Sequence, residues 1–212
     1  MKKVKRIHIA DMQPFFMIAL YPRATIRFCL MFKPLIYFFF IGIVGAFSSE
    51  LAKFVKTNYQ FQFTLGDIVS SSMIFSVIAF VTSTAIAAII LQFLGSSLGG
   101  KGTFKQMFQA LSLTYIPFIW ILPLLLFWMQ LSPESYFIYG DFTQSVGDKI
   151  MGYIGIVIIL LACIWALFLV LKAIQEVQRF SMAKAITALV VCLVTISVII
   201  YAMYAVTGVI FI

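Results

Sequence analysis

The chain is poor in charged residues, and those it has are confined to short clusters. Only 10% of its 212 residues are Asp, Glu, Lys or Arg, whereas soluble domains average roughly 25%. Ile68–Gly100 is 33 residues long without a formal charge, and comparable gaps lie within Lys105–Glu134, within Lys149–Lys172 and over residues 185–212. Because about 20 apolar residues cross a hydrocarbon core, the composition excludes a soluble globular protein and indicates one that is embedded in a membrane.

Histidine and cysteine are also scarce. His8 is the only histidine, and the three cysteines, Cys29, Cys163 and Cys192, are far apart within or beside apolar segments. This spacing excludes a credible metal site and a disulfide framework. The uncharged gaps also lack the Asp, Glu, His or Arg that pumps and proton-coupled carriers place inside the membrane. We therefore expect no catalytic residue, no metal and no cofactor.

The apolar segments predict five membrane spans, at about 30–49, 69–95, 107–131, 150–171 and 186–209. The first reaches the required length only if Cys29–Phe32 is added behind Lys33. The expected fold is an all-α membrane protein, a bundle of five transmembrane helices over residues 30–212. Residues 1–29 are expected to form a basic, amphipathic segment at the membrane interface, in which Pro22 begins a short helix.

Two features of the spans are candidates for a mechanical or packing role. Pro117 and Pro123 each remove a helix hydrogen bond, so the third span should be kinked, either as a hinge or only to shape the packing. Small residues four apart let helices approach closely, and they favour packing within the chain over the alternative of self-association. These small residues are Gly42, Ala46, Ser83 and Ala87.

The charge clusters differ in sign between the two sides of the membrane. The N-terminal segment and the second and fourth loops contain 12 of the 15 basic residues, whereas the other side has five of the seven acids. Basic flanks stay in the cytoplasm, which predicts a cytoplasmic N-terminus and an external C-terminus. The dispersed basic residues match no nucleic-acid motif. They predict contacts with lipid headgroups or with other membrane proteins, made by Arg23, Arg27, Lys101, Lys105, Lys172 and Arg179.

Two enzyme motifs are nearly matched in the loop after the second span. Gly95–Gly99 fits the G-x-S-x-G of serine hydrolases, but His8 is the only available base and a membrane helix precedes the motif. Gly95–Lys101 fits most of a phosphate-binding loop, but Gly102 stands where Ser or Thr must hold magnesium. The glycines are better interpreted as a tight turn between two spans, which favours a protein that is not an enzyme.

The same loop begins a longer resemblance. Leu98–Pro117, which reads LGGKGTFKQMFQALSLTYIP, resembles the Yip family (Ypt-interacting proteins) of five-span membrane proteins. Pro22–Arg27 before the first span and Ile174–Ala185 between the last two spans agree more loosely. Eukaryotic members of that family are trafficking factors that associate with Rab-type GTPases and with each other. The region before the first span is short here, so the resemblance implies a bacterial member in the plasma membrane, where some members resemble partners of ABC-type exporters.

The sequence therefore leaves two functions open. The favoured one is a scaffold or accessory factor for other membrane proteins, whose expected partners are the lipid bilayer, an ABC transporter or a second copy of the chain. The alternative is a passive channel or carrier for a small solute or ion, which would use the hydroxyl groups of the second and fifth spans. These are Ser76, Thr84, Thr195, Ser197 and Tyr201.

Overall fold

The computed structural model describes residues 14–57, 63–138 and 145–207, with side chains described up to residue 202. This part of the chain is helical and has no strand. Its helices are α1 (Pro14–Leu20), α2 (Pro22–Phe32), α3 (Leu35–Lys53), α4 (Leu65–Ser97), α5 (Phe104–Ser112), α6 (Ile116–Leu131), α7 (Pro133–Phe137), α8 (Val146–Gln178) and α9 (Met182–Thr207). A short 3₁₀ turn, Leu113–Tyr115, joins α5 to α6.

Five helical segments are long and apolar enough to cross a membrane. They are α3, α4, the continuous stretch Phe104–Leu131 that contains α5 and α6, α8 and α9, and their mean hydropathy runs from 1.8 to 3.2. The expected all-α, five-span architecture is thereby confirmed. The expected helix that begins at Pro22 is also present as α2, with Pro22 in its first turn.

The first span differs from the expectation at both ends. Cys29–Phe32 does not extend it, because these residues end α2, and Lys33 and Pro34 are extended, with ψ of 138° and 160°. A proline disfavours helical geometry in the residue before it, so the chain changes direction here. The span α3 reaches its 19 residues at the other end by running on to Lys53, and the expected boundary at 29/30 falls within α2.

The helices α4 and α8 are each 33 residues long, about 50 Å at 1.5 Å per residue, which exceeds the roughly 30 Å of a hydrocarbon core. Both begin at a capping hydroxyl, Thr64 for α4 and Ser145 for α8, which accepts from the backbone N–H of an aspartate three residues on. At its far end α8 continues seven residues past the expected end at 171, about 10 Å of additional helix. This extension brings polar residues of α8 to the membrane surface.

The third span is interrupted just before Pro117. The backbone N–H of Ile116 donates to the Leu113 carbonyl, and this closes the 3₁₀ turn between α5 and α6. Because Pro117 has no N–H, it cannot complete the α-helical bond to the same carbonyl, and the tighter turn satisfies that group instead. Pro123 lies inside α6 without ending it.

The third span lies at the centre of the bundle, and α9 lies at its edge. Half of the most apolar stretch of the third span is buried, compared with 17% of that of α9. Helix α3 packs against both α4 and α6, whereas α9 contacts α4 and α8. We call the end of the bundle that holds α2, the turn at residues 98–103 and the C-terminus of α8 the basic side, and the end that holds α7 the opposite side.

Candidate functional site

Four of the six basic residues that the sequence predicted as contacts lie around one acidic side chain on the basic side. The acid is Glu176, near the C-terminus of α8, and its side chain is only 8% exposed. We call this group the Glu176 site. Its basic members are Arg23, Arg27, Lys101 and Arg179.

Glu176 is held by two arginines from α2. Its Oε1 lies 2.5 Å from Nε of Arg27, and its Oε2 lies 3.3 Å from Nε of Arg23. The arginines are four residues apart and therefore share a face of α2, as the sequence predicted. Because a buried carboxylate is costly without charged partners, this double ion pair fixes α2 to α8, and it also raises the pKa of Arg27.

A cavity of about 340 Å³ opens beside this ion pair. Its polar lining comes from Arg27, Lys101, Gln106, Glu176 and Arg179, and the rest of the lining is apolar. The side-chain oxygen of Gln106 already accepts from the backbone N–H of Thr103 in the cap of α5. Its NH₂ group is therefore the part that remains available in the cavity, so every polar side chain there except the carboxylate can donate a hydrogen bond.

Lys105 and Lys172, the other two predicted contacts, lie outside this cavity. Lys105 lines a separate, mostly apolar cavity of about 260 Å³ together with Phe39 and Phe104. Lys172 donates to the side-chain oxygen of Gln175 at 3.3 Å, and its ammonium lies 4.8 Å from the centre of the Phe168 ring. Of the six predicted contacts, four therefore lie together at the Glu176 site, and the two lysines lie elsewhere on the basic side.

The glycine-rich turn after α4 fits closely around Gln178, the last residue of α8. Gln178 is 2% exposed, its Oε1 accepts from the backbone N–H of Gly102 at 3.0 Å, and its Nε2 donates to the Leu91 carbonyl at 3.4 Å. A Cβ at Gly95 or at Gly100 would overlap the side chain of Gln178. These glycines are therefore required by the close approach of α8.

Helices α4 and α8 end in the same way next to each other. Gly99 has φ +83°, and the N–H of Gly100 donates to the Gly95 carbonyl. Arg179 has φ +57°, and the N–H of Phe180 donates to the Gln175 carbonyl. Both arrangements are Schellman-type helix ends, in which the left-handed residue is usually glycine. Arginine in that position is uncommon and places its side chain in the cavity.

The small residues predicted for helix packing have different surroundings. A Cβ at Gly42 would overlap the ring of Phe80 in α4, and Ala46 is buried at 3% exposure. Ser83, by contrast, is exposed and shares a 3.3 Å hydrogen bond with the Tyr115 hydroxyl, and Ala87 is half-buried. Gly42 thus admits an aromatic ring of α4.

The two nearly matched enzyme motifs lie at the end of α4 and in the turn that follows it. Ser97 lies in the last turn of α4, and its hydroxyl donates to the Phe93 carbonyl at 3.0 Å. His8 lies outside the described residues. Within the described part of the chain no three His, Cys, Asp or Glu side chains are grouped as metal ligands would be.

The hydroxyls that a channel would need are separated. Ser76 is buried in α4 and donates to the Met73 carbonyl, and Thr84 is buried in the same helix. Thr195 donates to a carbonyl of its own helix, α9. Ser197 and Tyr201 line an open depression formed by α9 residues alone.

A hydrogen-bonded cluster that the sequence did not indicate joins α6, α7 and α8 on the opposite side. The Trp128 indole donates to the Ser135 hydroxyl at 2.6 Å, and the Ser132 hydroxyl donates to the Asp148 carboxylate. Tyr136, which is fully buried, donates to a backbone carbonyl of α3 at 2.8 Å. These bonds satisfy buried polar groups, and they hold the ends of the helices together on this side of the bundle.

One family matches most of the chain. The Yip1 domain matches residues 15–205, from α1 to the last turns of α9. No curated protein and no solved structure matches the chain significantly.

Proposed function

We propose that this chain, which belongs to the Yip1 domain family, is a non-enzymatic scaffold or accessory factor that binds other membrane proteins through its basic side. The observation that supports this most directly is the Glu176 site, in which two arginines pair with one carboxylate and two further cations line the cavity beside it. The surplus of positive charge is what an acidic partner surface would recognise.

The orientation follows from the same charges. We propose that the basic side faces the cytoplasm and that the protein lies in the plasma membrane, because short basic loops are retained in the cytoplasm. Alkaline phosphatase fused after Ser145 should therefore be active, whereas the same enzyme fused after Gly102 should be inactive. The reverse pattern would overturn this orientation.

The proposed partners are an ABC-type exporter or a second copy of the chain. The resemblance of short members to exporter partners supports the first, and the exposed Ser83 with the half-buried Ala87 on one face of α4 is compatible with the second. Either partner would contact the basic side through acidic groups at the level of the lipid headgroups.

Crosslinking in native membranes followed by purification in mild detergent tests the proposal. Wild type should recover a stoichiometric partner or a homo-oligomer, and Lys101→Glu should recover less of it, because the substitution reverses an exposed charge of the Glu176 site. Lys53→Glu is the matched control on the opposite side, where Lys53 pairs with Glu50. Recovery of monomer alone under several conditions, or equal loss in both variants, would contradict the proposal.

A further inference from the structure

We propose that the cavity of the Glu176 site binds a phosphate group, and that the source best suited to it is the headgroup of an anionic phospholipid. This ligand is additional to any protein partner of the basic side. The cavity has the charge, the hydrogen-bond donors and the apolar rim that such a headgroup requires.

The charge of the site favours an anion. Glu176 engages Arg23 and Arg27 through their Nε atoms only, so the terminal nitrogens of both guanidinium groups have no hydrogen-bond partner within the described residues. The side chains of Lys101 and Arg179 likewise have no ion-pair partner there. Guanidinium groups bind phosphate through two parallel hydrogen bonds, and lysine adds a point charge.

The backbone at Arg179 indicates that its side chain is held in place at a cost. Its φ of +57° is unfavourable for a residue with a Cβ, and glycine in the equivalent position of α4, Gly99, avoids that cost. Strained residues of this kind are concentrated at binding sites. Here the strained residue is a cation that lines the cavity.

The rim of the cavity indicates why a lipid fits better than a free ion. Leu30 and Met31 of α2 line the same cavity, and Met31 is 62% exposed. Helix α2 ends where α3 enters the membrane, so these side chains lie at the depth where acyl chains begin. A phosphate between the cations would place its attached chains beside Leu30 and Met31.

The test uses the full-length protein purified in mild detergent, with bound lipids counted by native mass spectrometry. Phosphatidylglycerol and phosphatidylcholine with identical acyl chains are titrated separately, and inorganic phosphate is titrated in a third series with thermal stability as the readout. The cavity variant is Lys101→Gln with Arg179→Gly, because glycine suits the left-handed backbone and the fold should be retained. The charge-matched control is Lys105→Gln with Lys172→Gln, which removes two cations from the same side but outside the cavity.

Wild type should bind phosphatidylglycerol in preference to phosphatidylcholine, and the cavity variant should lose about tenfold in affinity, as expected for lost charge-assisted bonds. The control should stay within about twofold, as for exposed charges. A response to inorganic phosphate alone, lost in the cavity variant, would support the phosphate site and overturn the lipid source. Equal loss in both variants, or none in the cavity variant, would overturn the proposal. Because these measurements need no protein partner, their failure would leave the proposed scaffold function untouched.

Discussion

Gly99 and Arg179 occupy equivalent backbone positions at the ends of α4 and α8, and they differ only in having or lacking a side chain there. Since a Cβ costs roughly 1 kcal/mol in left-handed geometry, Gly99→Ala should lower the free energy of unfolding by about that amount. Arg179→Gly should leave it unchanged or raise it by up to about 1 kcal/mol. Chemical denaturation in detergent, followed by tryptophan fluorescence, measures both. A clear loss of stability in Arg179→Gly would mean that the arginine is required for folding and not for binding.

Cys29 shows how burial controls reactivity outside the spans. It is fully buried in α2, and this burial raises the pKa of its thiol to about 12. Only the thiolate reacts with maleimides, and with its pKa this far above the usual value the thiol is almost entirely protonated at neutral pH. Because Cys29 is also inaccessible to solvent, it should react far more slowly than an exposed thiol at neutral pH in the native protein and become labelled after unfolding in dodecyl sulfate. Peptide mapping gives the readout, and an exposed thiol made by Lys105→Cys should react throughout; reaction of Cys29 at neutral pH would contradict the buried position.

At the scale of elements, the end of α8 is fixed in the glycine-rich turn through Gln178. Gly95→Ala should lower the free energy of unfolding by about 1–3 kcal/mol because its Cβ would overlap the Gln178 side chain. In a Gln178→Ala background the overlap is gone, and the better helix propensity of alanine should make the same change neutral or favourable by up to about 1 kcal/mol. The sign of the Gly95→Ala effect should thus depend on residue 178.

Gly66→Ala is the control for this cycle. It lies in the first turn of the same helix, and its Cβ would meet nothing closer than the Thr64 hydroxyl at 3.7 Å. It should be tolerated in both backgrounds. If the effect of Gly95→Ala were the same with and without Gln178, the two residues would be independent, and the proposed fit of the turn would be wrong.

The sequence predicts the existence of the spans better than it predicts their boundaries and contacts. Uncharged gaps identify all five spans, because a charged side chain is costly at the depth of the hydrocarbon core. They do not predict that α3 ends at Lys53, since an aligned Glu50 and Lys53 pair can continue a helix into the headgroup region. Contacts between residues that are distant in the sequence are also not predicted by the charge pattern. Glu176 occurs among other polar residues, and only the three-dimensional packing of α2 on α8 distinguishes it from an ordinary surface acid.

At the scale of the whole molecule, the two ends of the bundle are built differently. On the opposite side, the Trp128–Ser135 and Ser132–Asp148 bonds join neighbouring elements and satisfy one another. On the basic side, the Glu176 site leaves donors and positive charge available. A ligand or partner is therefore expected at one end of the molecule, and the spans between the ends serve to hold that end in the membrane.

The difference between the two ends of the bundle argues against passive transport. A flux measurement tests this directly. A pore needs polar groups along a continuous path, but the buried hydroxyls Ser76 and Thr84 belong to α4, whereas Ser197 and Tyr201 line an open depression on α9. Liposomes that contain the protein should therefore release potassium and glycerol no faster than protein-free liposomes. A known channel reconstituted at the same ratio is the positive control. Flux that depends on the protein and is abolished by Thr84→Val would place a conduction path along α4 and would replace the scaffold proposal with the channel.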